Sequence, residues 1–360
     1  AISAVLWKDS GYLTPGLAGL AITYAIVTSG LLSFGVRMAT QVETDMTSVE
    51  RVLEYSCLPQ EVTPEKVTVP AAWPTSGAIT FTNVSMRYRP ELPLVLKDMS
   101  IEIQPHEKIG IVGRTGSGKS SMTLLLFRMV EVLQGTIAID GIDISRVDLT
   151  TLRQRVSIIP QDPFLFTGTV RRNLDPFDMH SDQEVWTALE RCHMKDAIEN
   201  MDGQLQGVVE EHGQNFSVGQ RQLLCVGRAL LKKTSVLIMD EATAAIDMHT
   251  DALIQRTVRE CFADRTTLTI AHRLATIMDS TRILVMDNGN VAEFDTPSAL
   301  LDQEKSALSG MVNATGAASA KFLRRLACGE INVADNIENL IKWDSALKSG
   351  EETDLEDIEL

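Results

Sequence analysis

Charge is missing from an early stretch of the chain: no Asp, Glu, Lys or Arg stands between Asp9 and Arg37. About 27 residues rising ~1.5 Å each span about 40 Å, enough for a bilayer core of about 30 Å, so the pattern predicts a transmembrane helix. A secretory signal fits less well, because the run exceeds a signal's apolar segment and no clear small-residue cleavage site precedes polar sequence. A buried helix of a soluble protein is the remaining alternative. Gly16, Gly19, Ala21, Ala25, Gly30 and Gly35 would let neighbouring helices approach closely, and Thr23, Thr28 and Ser33 offer hydrogen bonds between helices. Past Arg37, Val42, Met46, Val49 and Leu53 recur at helical period among Glu43, Asp45, Glu50, Arg51 and Glu54, which predicts that the helix continues into the cytosol.

Residues 58–77 lose that periodicity and hold Pro59, Pro64, Pro70, Pro74 and Gly77, the composition of a linker. Apolar runs then predict strands at Ala78–Val84, Ser100–Ile103, Lys108–Val112, Ser157–Ile159, Ser235–Met239, Thr267–Ile270 and Ile283–Met286, with helical patterns among the later ones. The expectation is an α/β domain with an antiparallel β portion in front. Four segments result: helix and extension at 1–57, linker at 58–77, one large domain at 78–313, and a tail at 314–360. The last ten residues include Glu351, Glu352, Asp354, Glu356, Asp357 and Glu359 with no basic partner, so part of the tail is expected to be disordered.

Composition narrows the function classes. The 360 residues carry a formal charge of -15 and a pI near 4.9, whereas nucleic-acid binders need a basic footprint to release counterions. No nucleic acid is expected as partner. Cys57, Cys192, Cys225, Cys261 and Cys328 form no CxxC pair and no zinc-ligand spacing, which suggests a reducing compartment. The chain opens on Ala1 with apolar residues already at Val5 and Leu6, so a longer parent is expected.

Candidate chemistry begins at Gly113-Arg-Thr-Gly-Ser-Gly-Lys119-Ser120, which fits GxxxxGK[ST] between an apolar strand and a helical run. Glycines at 113, 116 and 118 let backbone N–H groups curl around phosphate oxygens at a helix N-terminus. Lys119 would reach the β and γ phosphates, and Ser120 would ligand Mg2+. A dinucleotide-binding turn fits worse, because it gives Lys119-Ser120 no role. The apolar run Ser235–Met239 ends in Asp240-Glu241, a second magnesium anchor followed by a carboxylate placed to act as general base on water. An apolar strand ending in Asp-Glu is common by itself and gains force only beside the glycine loop.

P-loops serve many activities, and the deciding segment is Asn215-Phe-Ser217-Val-Gly219-Gln220-Arg-Gln222. It resembles the signature motif of ATP-binding cassette (ABC) proteins, with Phe216 where Leu is usual; an ordinary helix cap would also fit Ser217. The resemblance implies an ABC cassette with a RecA-like core, an antiparallel β subdomain and a helical subdomain. It implies that Gly113, Arg114, Thr115, Gly116, Ser117, Gly118, Lys119, Ser120 and Ser121 surround the phosphates of ATP, and that Tyr88 stacks on adenine. Gln161 would sense magnesium and touch the membrane domain, so Ser120, Gln161 and Asp240 make the implied Mg2+ set. Asp247 would be the aspartate that follows the strand ending in Asp240-Glu241, the family's Walker B strand, and His272 the switch histidine. Ser217, Gly219 and Gln220 would close over ATP held by a different cassette.

Ser48–Tyr55, Ala72-Trp-Pro74, Tyr88-Arg-Pro90, the Gly-Arg-Thr-Gly of the loop and Phe166–Phe177 are similar to the second cassette of the multidrug-resistance-associated subfamily, subfamily C. The similarity covers roughly residues 10–313. Its implications are catalysis by Glu241, His272 and Gln161, and export of organic anions, conjugates or drugs. The implied partners are a first nucleotide-binding domain and further membrane helices of the same transporter, a transported small molecule, and the lipid membrane. A channel or channel regulator of the same subfamily is the alternative.

Overall fold

The chain divides into two units, Ala1–Val62 and Thr63–Leu360. The computed structural model describes residues 14–58, 67–240, 248–271, 273–303 and 305–331. In the first unit, Thr14 Oγ1 accepts the Leu17 N–H at 3.4 Å, and Pro15 starts helix α1 (Pro15–Ser56) with a φ already suited to a first turn. The expected apolar helix and its charged continuation form this one helix of 42 residues, about 63 Å at ~1.5 Å per residue. It is long and apolar enough to cross a membrane, with Leu20, Ile26, Leu31 and Leu32 exposed. Thr23 Oγ1 donates to the Gly19 carbonyl at 2.9 Å, so its hydroxyl is satisfied within its own helix.

The second unit opens with β1 (Ile79–Met86), β2 (Leu96–Ile103), β3 (Lys108–Gly113), α2 (Lys119–Leu126), β4 (Gln134–Ile139), β5 (Ile142–Asp143), α3 (Leu149–Arg155) and β6 (Val156–Ile159). A helical layer follows, with β7 (Gly168–Thr169), α4 (Val170–Leu174), α5 (Asp182–Arg191), α6 (Lys195–Glu199), β8 (Val208–Val209) and α7 (Val218–Lys232). The chain then returns through β9 (Val236–Asp240), α8 (Met248–Cys261), β10 (Thr266–Ile270), β11 (Arg282–Asp287), β12 (Asn290–Asp295), α9 (Pro297–Asp302), α10 (Ala307–Asn313) and α11 (Ala317–Ala327).

Two main sheets result, an antiparallel one ordered β2-β1-β4-β5 and a six-stranded one ordered β12-β11-β3-β10-β9-β6. Every pairing in the larger sheet is parallel except β11 with β12. Its inner strands are apolar on both faces, as β9 reads Val236-Leu-Ile-Met239 with all four buried. Phe81, Met99, Ile103, Ile109 and Leu126 belong to one core formed by both sheets and α2. Val185, Leu189, Leu224, Ile254 and Phe262 make a second core in the helical layer.

A third core joins Ile283, Leu300, Leu308, Leu323 and Leu326. Through Leu323 and Leu326, α11 packs with the layer under β11, so the folded body runs past the boundary expected at 313. The far end of the expected linker is likewise fastened down: Trp73 is buried and its Nε1 donates to the Ile139 carbonyl at 2.9 Å. Asp140 accepts the N–H groups of Thr75, Ser76 and Ala78 at 2.7, 2.9 and 2.8 Å. Burial alone would raise its carboxyl pKa, but these bonds and the Ser76 hydroxyl outweigh that and hold it below the usual carboxylate range.

Candidate nucleotide site

All parallel strands of the larger sheet point the same way, so their carboxyl ends form one edge, the usual place for a ligand crevice in such sheets. At this edge β3 ends on Gly113, the chain turns through 114–117, and Gly118 starts α2. Gly113 has φ +152°, and a Cβ there would lie 2.2 Å from the Met286 carbonyl oxygen, so no other residue fits. Gly116 has φ +82° with open space around it, which ties its identity to backbone conformation. The Lys119 Nζ folds back onto the carbonyls of Gly113 and Arg114 at 2.8 and 3.2 Å. Beneath the loop, the buried Ser117 Oγ has no hydrogen-bond partner among the described residues. Arg114, Thr115 and Ser120 are exposed, while Ser121 is buried and its Oγ lies 2.8 Å from the Tyr88 hydroxyl. That bond fixes an exposed aromatic ring beside the start of α2.

Asp240 ends β9, two strands from β3: Ile270 pairs with both Ile111 and Asp240. At about 4.8 Å per strand, the Asp240 backbone stands about 10 Å across the sheet from β3. Gln161 lies exposed two residues beyond β6, on the far side of β9. The fold therefore gathers the glycine loop, Tyr88, Ser121, Asp240 and Gln161 along one edge. Glu241, Asp247 and His272 lie outside the described residues.

Ser217, Gly219 and Gln220 belong to the helical layer. Ser217 caps α7: its Oγ accepts the Gln220 N–H at 3.1 Å while Gln220 Oε1 accepts the Ser217 N–H at 2.9 Å. This reciprocal capping box engages the Gln220 side chain that the resemblance assigns to nucleotide. The Gly219 N–H lies in the first helical turn, where no intrahelical acceptor exists. A Cβ on Gly219 would sit 2.5 Å from Thr250 Cγ2, so the glycine also allows α7 and α8 to meet. Phe216, in place of Leu, is buried in the second core.

Three supports were missed in the sequence. Asn288-Gly289, both at positive φ, turn β11 into β12, and the Gly289 N–H donates to the Ser117 carbonyl at 3.2 Å, so this hairpin buttresses the glycine loop. An Asn-Gly pair between apolar runs is the signal that could have revealed it. Arg273 Nη1 meets the buried Asp251 of α8 at 2.5 Å, fastening the chain just after β10. Gln222, wholly buried, donates from Nε2 to the Pro160 carbonyl at 2.9 Å. No periodicity announces the last two, because each joins elements distant in sequence.

A strand, a left-handed glycine loop and a helix at the carboxyl edge of a parallel sheet, with a strand-end Asp two strands away, define a P-loop nucleotide-binding domain. Residues 96–244 match the family model described as ABC transporter. The chain is 52% identical over 301 residues to "ABC transporter C family member 8" of Dictyostelium discoideum, covering 83% of this chain and 19% of that protein. It is 52% identical over 307 residues to "Metal resistance protein YCF1" of Saccharomyces cerevisiae (84% and 20%). Against "ATP-binding cassette sub-family C member 3" of Homo sapiens the identity is 50% over 303 residues (84% and 20%). A bacterial Atm1-family ABC exporter solved with ATP bound superposes with a TM-score of 0.69 at 32% identity, covering 88% of this chain and 56% of that one. The chain belongs to the ABC transporter family, a family of ATPases coupled to transport, and the Dictyostelium and human relatives carry C-family names. It spans about a fifth of the length of the curated relatives it matches.

Proposed function

We propose that this chain is the second nucleotide-binding domain of a subfamily C exporter, with α1 as its last membrane-crossing helix and the cassette on the cytosolic face. The single observation that carries the reading is the loop at Gly113–Lys119. Its buried cation, Lys119, folds onto carbonyls, and a serine hydroxyl in the loop has no partner among the described residues, a cradle that fits a polyphosphate. Lys119 would leave Gly113 and Arg114 to meet the β and γ phosphates of ATP, and Tyr88 would stack against the base. Ser120, Asp240 and Gln161 would hold Mg2+, which when bound neutralises phosphate charge. Glu241 takes a proton from water as the water oxygen attacks the γ phosphorus and the bond to the β-phosphate oxygen breaks. His272 would hold the γ-phosphate side of that site.

Ser217 and Gly219 stand at the amino end of α7 in the helical layer and would serve ATP held by a first cassette, so two cassettes pair head to tail. Membrane helices convert that closure into alternating access. Organic anions, conjugates or drugs are the cargo that the subfamily C resemblance implies, and relatives named for "multidrug resistance" and "metal resistance" support an export role. The test is Mg-ATP hydrolysis by the complete protein in lipid, wild type against Glu241→Gln, with and without a panel of anionic conjugates. Conjugate-stimulated turnover that Glu241→Gln abolishes is expected. Turnover indifferent to every conjugate would instead favour the channel or regulator reading.

A further inference from the structure

Helix α7 holds the segment after β6 at two points. Gln222 Nε2 donates to the Pro160 carbonyl at 2.9 Å. One turn and a half further along, Arg228 donates from Nη1 to the Phe164 carbonyl at 2.7 Å, and from Nε and Nη2 to the carbonyl and Oδ1 of Asn173 at 2.6 and 2.8 Å. Asn173 in turn donates to the Phe166 carbonyl at 2.8 Å. Gln161 therefore lies within a stretch gripped at both ends by side chains of the helix whose first turn carries Ser217 and Gly219.

The Gln222 side chain is entirely buried, yet half of its amide goes unused. Its nitrogen must face the Pro160 oxygen, because two acceptors would repel, and Oε1 is then left without a partner among the described residues. An orphaned buried acceptor destabilises the fold, and an apolar side chain of equal length would avoid it. The residue thus serves something other than stability.

We infer that Gln222 is a positioning residue that makes Gln161 and the amino end of α7 move as one piece, so that closure on one nucleotide is transmitted to the other. The inference rests on the functional reading above, in which Gln161 serves the ATP on Lys119 while Ser217 serves the second one. Arg228 anchors the far end of the segment, and Gln222 sets the near end, next to Gln161.

The experiment measures kcat and KM for ATP in the complete protein in lipid, for wild type, Gln222→Met, Gln161→Ala and the double variant. Gln222→Met keeps length and removes the bond; its kcat should fall about tenfold, since small misplacements are costly, with KM for ATP changed less than about twofold and no loss of Tm. In the Gln161→Ala background, Gln222→Met should add nothing, the signature of one residue acting through the other. Gln222→Glu restores the donor only when protonated, so relative to wild type it should regain turnover as pH falls from about 8 to about 6. Unchanged kcat in Gln222→Met, additivity with Gln161→Ala, or a loss explained by a lowered Tm would each overturn the inference. Absence of hydrolysis in the wild type would overturn the functional reading and this inference with it, whereas full turnover in Gln222→Met overturns this inference alone.

Discussion

The glycine loop and the signature turn both present the start of a helix, but they leave it in opposite states. At the loop, Lys119 is folded onto the carbonyls of Gly113 and Arg114, and Ser117 Oγ is buried without a partner among the described residues. At the signature turn, Ser217 and Gln220 satisfy each other in a closed capping box. The first region is shaped around something it must receive, while the second is complete by itself and leaves only a first-turn N–H such as that of Gly219 to offer outward. Under the proposed function, this difference is that between a receiving half-site on the sheet edge and a donating half-site on the helical layer, the two serving different nucleotides.

The largest expected effect comes from emptying the receiving side. Lys119→Met should cut ATP hydrolysis about 100-fold or more, because a fixed charge aimed at developing phosphate charge is lost, and calorimetry should show the fold retained. A variant that kept turnover would show that Lys119 does not serve the phosphates.

A smaller effect should follow from crowding the donating side. In Gly219→Ala the new methyl must displace Thr250 Cγ2, now 2.5 Å away, at a cost of about 1–3 kcal/mol in stability. Thr250→Ser removes that methyl, so the double variant should recover most of the lost Tm. If it does not, the glycine is there for reasons other than packing. Ser217→Ala should cost about 1 kcal/mol through the lost cap, read from chemical denaturation; no loss would mean that the capping box contributes nothing to the fold.

The smallest effect lies at the opposite end of β3 from the loop. Lys108 donates to the carbonyls of Phe262 and Arg265, and burial pushes its pKa down to about 8. A cation whose folded pKa lies below its unfolded value binds fewer protons in the native state. Stability should therefore rise as pH climbs from about 8 towards about 10.5, the unfolded value of this group. Lys108→Met should flatten that rise in a series of Tm measurements; an unchanged slope would show that the titration belongs to other groups.

Legibility in the sequence followed the range of the interactions. The strands at Lys108–Val112, Ser235–Met239 and Thr267–Ile270 were readable because inner strands of a parallel sheet are continuous apolar runs. The four-stranded sheet was read only in part: β4 has Gln134, Gly135 and Thr136 exposed, so half of it carries no apolar pattern. β12 mixes exposed and half-buried positions with no buried one and went unread. The tail expected beyond 313 hid α11 because the charge excess near the C-terminus outweighed the short stripe of Phe322, Leu323 and Leu326. The loop at Gly113–Ser121 and Asp240 were legible as a short motif and a strand end. Gln222 with Pro160 and Arg273 with Asp251 were not, since each pair spans residues that only the fold brings together.

The account's central claim, that the two regions serve different nucleotides, is most directly tested by labelling the complete protein with a photoreactive ATP analogue and measuring the label on this cassette in Lys119→Met and Ser217→Arg. The account predicts that Lys119→Met abolishes the label while Ser217→Arg leaves it within about twofold, because the signature residue acts on a different bound nucleotide. Loss of the label in Ser217→Arg with its survival in Lys119→Met would contradict the claim.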